Sequence, residues 1–158
     1  MLNEIGKILI EKNLKIATTE SCTGGLLSSA LTDISGSSAF VHMNFVTYSN
    51  EAKNKILGVK TETLEKFGAV SEQTSNEMAV GLYNITGADI CISTTGIAGP
   101  TGGTPQKPVG LMYSTIYMRK SGFCKTYRIL LPSDTPRIEM KKQFVNEVLK
   151  NLFELLSK

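Results

Sequence analysis

Apolar and polar positions alternate along this chain with two different periods. Residues 2–12 place Leu2, Ile5, Ile8 and Leu9 at helical spacing with Lys7, Glu11 and Lys12 between them, which predicts an amphipathic helix ending near Asn13. Residues 14–19 read as a strand, and 23–33 as a helix whose apolar side includes Leu26, Leu27, Ala30 and Leu31. Ser35-Gly36-Ser37-Ser38 then breaks the pattern. Phe40, Val41, Phe45 and Val46 support an extended segment ending at Thr47-Tyr48-Ser49, with Ser49 placed to cap a short helix through Leu57. Another short helix over 61–67 closes at Gly68. Ser71 caps a longer one over 72–85, with Met78, Leu82 and Ile85 on one side and Gly81 weakening it.

The run 88–94, apolar at Ala88 and over Ile90-Cys91-Ile92, is of strand length, as expected for a strand covered on both faces. A loop rich in Gly and Pro spans 95–109, and alternating segments over 110–118 and 123–131 predict a hairpin around Lys120-Ser121-Gly122. Thr135-Pro136 reads as an N-cap followed by proline at the first helical position, opening a final helix to residue 156. Alternating strands and helices followed by a hairpin predict an α/β fold, a single three-layer α/β/α sandwich with a mixed, mostly parallel sheet. No repeat, low-complexity tract or linker divides residues 1–158.

Composition narrows the function classes. A net charge of +3 is too small to argue for nucleic acid, and Lys141-Lys142 is the only notable basic pair on the last helix. No apolar run approaches the ~20 residues that span a bilayer, and the N-terminus lacks a signal-peptide layout. Three widely spaced cysteines (Cys22, Cys91, Cys124) argue for reduced thiols in a cytoplasmic protein, and against a disulfide framework or a metal site. Phe144, Val148, Phe153 and Leu155 exceed what one helix face needs, which points to a subunit contact in a homo-oligomer.

Candidate chemistry concentrates in Thr18-Thr19-Glu20-Ser21-Cys22-Thr23-Gly24-Gly25, on an expected strand-to-helix turn. Such a turn directs N–H groups and a positive helix end outward, and its glycines let a ligand approach the main chain. Ser21 and Cys22 are both candidate nucleophiles there. Conventional Ser–His–Asp chemistry requires an imidazole, and the sole histidine, His42, lies in a strand-like segment that favours a surface or core role. The Ser-x-x-Lys spacing of penicillin-binding proteins is absent. Tyr48-Ser49-Asn50-Glu51-Ala52-Lys53 offers a phenol and an amine that could reach the edge of the sheet where Ser21 emerges. A lysine acts as a base only when neutral, which requires a dry pocket, and a nearby Glu20 or Glu51 carboxylate would oppose it. Thr94-Thr95-Gly96-Ile97-Ala98-Gly99-Pro100-Thr101-Gly102-Gly103 is a second glycine-rich segment, without the ending of a P-loop or the spacing of a dinucleotide fingerprint. Arg137, in the first turn of the last helix, could pair with phosphate or simply be solvated.

Taken together, these segments resemble the C-terminal domain family of the competence/damage-inducible protein CinA. The matching runs are Glu20 to Gly25, Asp33 to Ser38, Phe45 to Lys53, Gly68 to Glu72, Gly96 to Pro100, Gly102-Gly103 and Lys107 to Gly110, in family order. The resemblance, to a family whose stand-alone members are nicotinamide-nucleotide amidohydrolases, implies hydrolysis of the carboxamide of nicotinamide mononucleotide without a metal or other cofactor. The implied partner is a small pyridine nucleotide, with no nucleic acid and no membrane. It implies Ser21 as nucleophile, Lys53 as general base and the Tyr48 hydroxyl in the same proton network. Thr23, Gly24, Gly25, Thr95, Gly96 and Arg137 are implied to bind substrate. Thr135-Pro136-Arg137 stands where relatives often carry Gly-Asp-Arg, and Thr101 where many carry aspartate. The competing expectations are a non-catalytic nucleotide-binding or adaptor domain and a Cys22 thiol hydrolase.

Overall fold

The computed structural model describes residues 1–158. Five strands, β1 (Ile16–Glu20), β2 (Val41–Val46), β3 (Ile90–Gly96), β4 (Leu111–Met118) and β5 (Phe123–Leu130), form one sheet in the order β2-β1-β3-β4-β5. β1 pairs in parallel with both β2 and β3, whereas β4 is antiparallel to β3 and to β5. The pairings therefore divide evenly, although β4 alone runs against the other strands. The C-terminal ends of β1, β2 and β3 leave the sheet at one edge, and the candidate residues follow them.

Three helices cover each face. α3 (Asn50–Leu57), α4 (Thr61–Phe67) and α5 (Glu72–Thr86) lie on one side, with α1 (Leu2–Glu11), α2 (Leu26–Thr32) and α6 (Arg137–Leu156) on the other. Strand periodicity divides the core accordingly. Ile16, Ile90, Ile92, Met112 and Ile116 pack beneath α1, α2 and α6, while Ala17 and Cys91 meet Leu57, Met78 and Leu82. The expected sandwich is present, and no helix is long and apolar enough to cross a membrane.

Several local expectations are revised. α2 starts at Leu26 because Gly24 and Gly25 hold φ of +59° and +101°, outside helical geometry. Thr135 does not cap α6: its hydroxyl donates back to Pro132 O at 2.7 Å, and Pro136 occupies the N-cap position. Phe144 and Val148 are fully buried, and Phe153 and Leu155 pack against the same core. Much of the apolar surplus of α6 thus packs within the chain, with Phe153 and Leu155 left half-buried. Gly81 has a packing role, since a Cβ there would stand 1.9 Å from Leu57 O, where α3 ends against α5. His42 is exposed on the edge strand β2, away from the site, in the surface role its segment favours.

Candidate active site

The site is assembled where β1, β2 and β3 end. Ser21 follows β1, and its N–H donates to Thr94 O across to β3. The β1–β2 pairing continues one residue past the strands: Thr47 N–H reaches Glu20 O, and the Thr19 and Thr47 hydroxyls meet at 2.8 Å. This fixes the carbonyls of Thr47 and Tyr48 at the sheet edge. Ser49 then caps α3, its Oγ accepting from Ala52 N–H at 3.0 Å as expected, and the helix carries Lys53 back over those carbonyls.

Lys53 is 1% exposed and Ser21 9%, and they meet. Lys53 Nζ lies 3.0 Å from each of Ser21 Oγ, Thr47 O and Tyr48 O. The carbonyls can only accept, so each takes one N–H of the amine. When the amine is charged, its third N–H points at Ser21 Oγ. When it is neutral, the lone pair occupies that position and can accept the serine proton. Burial lowers the pKa of Lys53 from 10.5 to about 8, with the neighbouring Cys22 thiol opposing the shift. About one-tenth of the amine is therefore neutral at pH 7. Glu51 does not oppose this, being turned outward to Lys55 at 2.7 Å.

Tyr48 belongs to the site through a different atom from the one expected. Its main-chain carbonyl accepts from Lys53, whereas its hydroxyl sits in the exposed rim and accepts from Arg137 at 3.3 Å. Arg137 also donates to Gly99 O at 2.6 Å, joining the start of α6 to the glycine-rich loop. Thr95 and Gly96 line the cavity as expected, but the Thr95 hydroxyl is committed to Ala69 O at 2.7 Å and takes no part in the Ser21–Lys53 contact.

Thr23, Gly24 and Gly25 are not brought to the cavity. Thr23 is fully buried, with its hydroxyl 2.6 Å from Glu20 Oε1 and 2.8 Å from Thr94 Oγ1. Nor does the start of α2 face a ligand. The Glu20 carboxylate accepts from Leu27 and Ser28 N–H, each at 2.9 Å, and so fills the place expected for an external anion. Cys22 does line the cavity, but burial pushes its thiol up to about 12, with the Glu20 charge adding to the effect. A protonated thiol is a poor nucleophile, which favours Ser21.

The cavity encloses about 270 Å³. Besides Ser21, Lys53 and the Tyr48 rim it has an apolar wall of Ala69, Val70, Ile97 and Ala98. Sequence reasoning missed Ala69 and Val70, although the Gly68-Ala69-Val70-Ser71 run carried part of the family resemblance. The run precedes a capped helix and contains no reactive side chain, so only its tertiary position gives it a role.

The family model of the CinA C-terminal domain matches residues 1–156, and the chain belongs to that family. It is 50% identical over 157 residues to a CinA-like protein of Chloroherpeton thalassium, covering 97% of this chain and 36% of that one. A CinA-like protein of Chlorobium chlorochromatii is 45% identical over 96% of this chain and 36% of its own length. The chain thus spans about a third of the length of the curated relatives it matches. Among solved structures it is similar to the competence/damage inducible protein CihA of Agrobacterium tumefaciens, with a TM-score of 0.91 and 41% identity, covering 99% of this chain and 96% of that one. A CinA superfamily protein of Klebsiella pneumoniae superposes with a TM-score of 0.92 at 35% identity, covering 99% and 95%.

Proposed function

We propose that this domain hydrolyses the carboxamide of nicotinamide mononucleotide, giving nicotinate mononucleotide and ammonia. The observation that carries the reading is the 3.0 Å contact between Lys53 Nζ and Ser21 Oγ inside a buried pocket that lowers the pKa of the amine to about 8. Ser21 Oγ bonds to the amide carbon as its proton passes to Lys53 Nζ. The carbonyl oxygen gains negative charge, and the Cys22 N–H, which donates to no oxygen of the chain and lies against only its own thiol, is available to it. Collapse breaks the C–N bond while the Lys53 ammonium protonates the departing nitrogen, because an amide nitrogen leaves poorly as an anion. Water then attacks the acyl-enzyme, gives its proton to Lys53, and restores the Ser21 hydroxyl.

Substrate class rests on the walls. Ala69, Val70, Ile97 and Ala98 suit a flat pyridine ring, and the Tyr48 phenol stands at the mouth. Arg137 uses two nitrogens on Gly99 O and Tyr48 Oη and retains other N–H donors for a phosphate. The unpaired cysteines suit work in a reducing, cytoplasmic setting. Ammonia release measured on nicotinamide mononucleotide, its riboside and free nicotinamide tests the reading. Turnover is expected with the mononucleotide and is abolished in Ser21→Ala and Lys53→Ala proteins that remain folded. A protein whose melting temperature rises with the nucleotide while no ammonia appears is a binding module instead.

A further inference from the structure

The least expected feature near the site is a charge that touches no solvent. Glu20, 0% exposed, ends β1 immediately before the nucleophile. Its Oε1 accepts from Thr23 Oγ1 at 2.6 Å, Leu27 N–H at 2.9 Å and Gly25 N–H at 3.2 Å, and its Oε2 from Ser28 N–H at 2.9 Å. A buried carboxylate is tolerated only when satisfied in this way. α2 needs such a partner because its N-cap residue, Gly25, has no side chain to offer.

The consequence lies in the main chain. From Ser21 to Ser28, the N–H groups of Gly25, Leu27 and Ser28 go to Glu20. Those of Ser21, Gly24 and Leu26 go to Thr94 O, Ser21 O and Thr23 O. Cys22 and Thr23 alone donate theirs to no oxygen of the chain, and Cys22, whose N–H lies against only its own thiol, lines the cavity. Thr94 braces the turn from the other side, accepting Ser21 N–H on its carbonyl at 3.0 Å and meeting Thr23 with its hydroxyl at 2.8 Å.

We propose that Glu20 and Thr23 are positioning residues for the reaction, whose hydrogen bonds hold the Ser21–Gly25 turn so that Ser21 Oγ stays on Lys53 and one N–H remains free for the oxyanion. Ordinary helix capping would need only the contacts to Leu27 and Ser28. The bonds to Thr23 and Gly25 fix the turn itself, which carries the nucleophile. The proposal rests on the Ser21–Lys53 reading, but its test does not depend on the identity of the substrate.

The probe is an alkyl fluorophosphonate. Ser21 Oγ bonds to phosphorus, the P–F bond breaks, fluoride leaves and the serine proton goes to Lys53. Glu20→Gln sets an amide NH₂ against the Ser28 N–H, and Thr23→Val removes one hydroxyl at nearly constant volume. Both variants are compared with wild type well below their melting temperatures, with circular dichroism confirming the fold. Labelling rate and kcat are expected to fall about 10- to 100-fold, as for a small misplacement of reacting groups. KM should stay within about twofold and the pH midpoint near 8 should not move, because the loss falls on the reactive geometry and not on binding or on the Lys53 charge. Thr23→Ser should recover most of the rate. If both variants melt earlier yet label and turn over at the wild-type rate, the two residues are structural only and the proposal is overturned. If wild type is labelled at Ser21 but hydrolyses no pyridine amide, the substrate reading fails while the labelling comparison still decides the role of Glu20. If wild type is not labelled at all, both readings fall together.

Discussion

Replacing Lys53 by methionine keeps the aliphatic stem and deletes the amine, so it isolates what the nitrogen does. Lowering the pKa of this group from 10.5 to about 8 corresponds to roughly 3 kcal/mol, at about 1.4 kcal/mol per pH unit. That free energy has a sign that can be measured. Below pH 8 the amine is protonated in both folded and unfolded chains, and the folded state carries the whole penalty of burying an ammonium. Between pH 8 and 10.5 the unfolded chain holds the proton that the folded chain has lost, so unfolding free energy rises with pH through this window. Urea unfolding of wild type and Lys53→Met across pH 7–10 should therefore show the difference between them moving in favour of wild type by roughly 2–3 kcal/mol. Other titrating groups cancel in that difference. The same ionisation sets the rate: kcat/KM of wild type should climb about tenfold between pH 7 and 9 around a midpoint near 8, while Lys53→Met loses at least 100-fold and its residual profile is flat. A wild-type profile that is level from pH 6 to 10, or a Lys53→Met protein that still releases ammonia at the wild-type rate, refutes the assignment of Lys53 as the base.

Other outcomes follow from the same geometry. Iodoacetamide at pH 8 should leave activity intact, because burial holds the Cys22 thiol near 12; rapid stoichiometric inactivation traced to Cys22 by mass spectrometry would restore the thiol reading. Arg137→Ala should raise KM for the mononucleotide by about 10-fold or more and leave the riboside nearly unaffected, so equal effects on both substrates would take the phosphate from Arg137. Tyr48→Phe should raise KM by loosening Arg137 with little change in kcat, since the carbonyl and not the hydroxyl meets Lys53; a collapse of kcat would return the phenol to the proton network. Gly81→Ala should destabilise by about 1–3 kcal/mol or more in thermal melts, although helix propensity alone favours alanine by about 1 kcal/mol. A stabilised Gly81→Ala protein would show that α3 can retreat from α5.

Much of the framework was legible in order along the chain. The strand and helix positions, the Ser49 and Ser71 caps and the terminal hairpin all follow from local periodicity and turn chemistry, which require only neighbours in sequence. The site was legible as residue types: Ser21, Lys53, Thr95, Gly96 and Arg137 do converge on one cavity. What failed, failed where a local signal had a competitor. Thr135 looks like a cap until Pro132, three residues back, offers its carbonyl, and the start of α2 looks open to a substrate until the Glu20 carboxylate fills it.

The amino-acid order alone determined which groups are available: a hydroxyl after β1 and an amine one turn into α3. It did so because propensity, capping and periodicity act over a few residues. Only the folded sheet decided what those groups become. Parallel pairing of β1 with β2 sets two carbonyls beneath Lys53 and closes water out, which turns an ordinary lysine into one that can surrender its charge. The same packing turns Glu20 inward onto α2, so the helix end that seemed open to a substrate is taken by the chain itself. Desolvation and long-range hydrogen bonding depend on which segments meet, and that is fixed only when the whole sandwich closes.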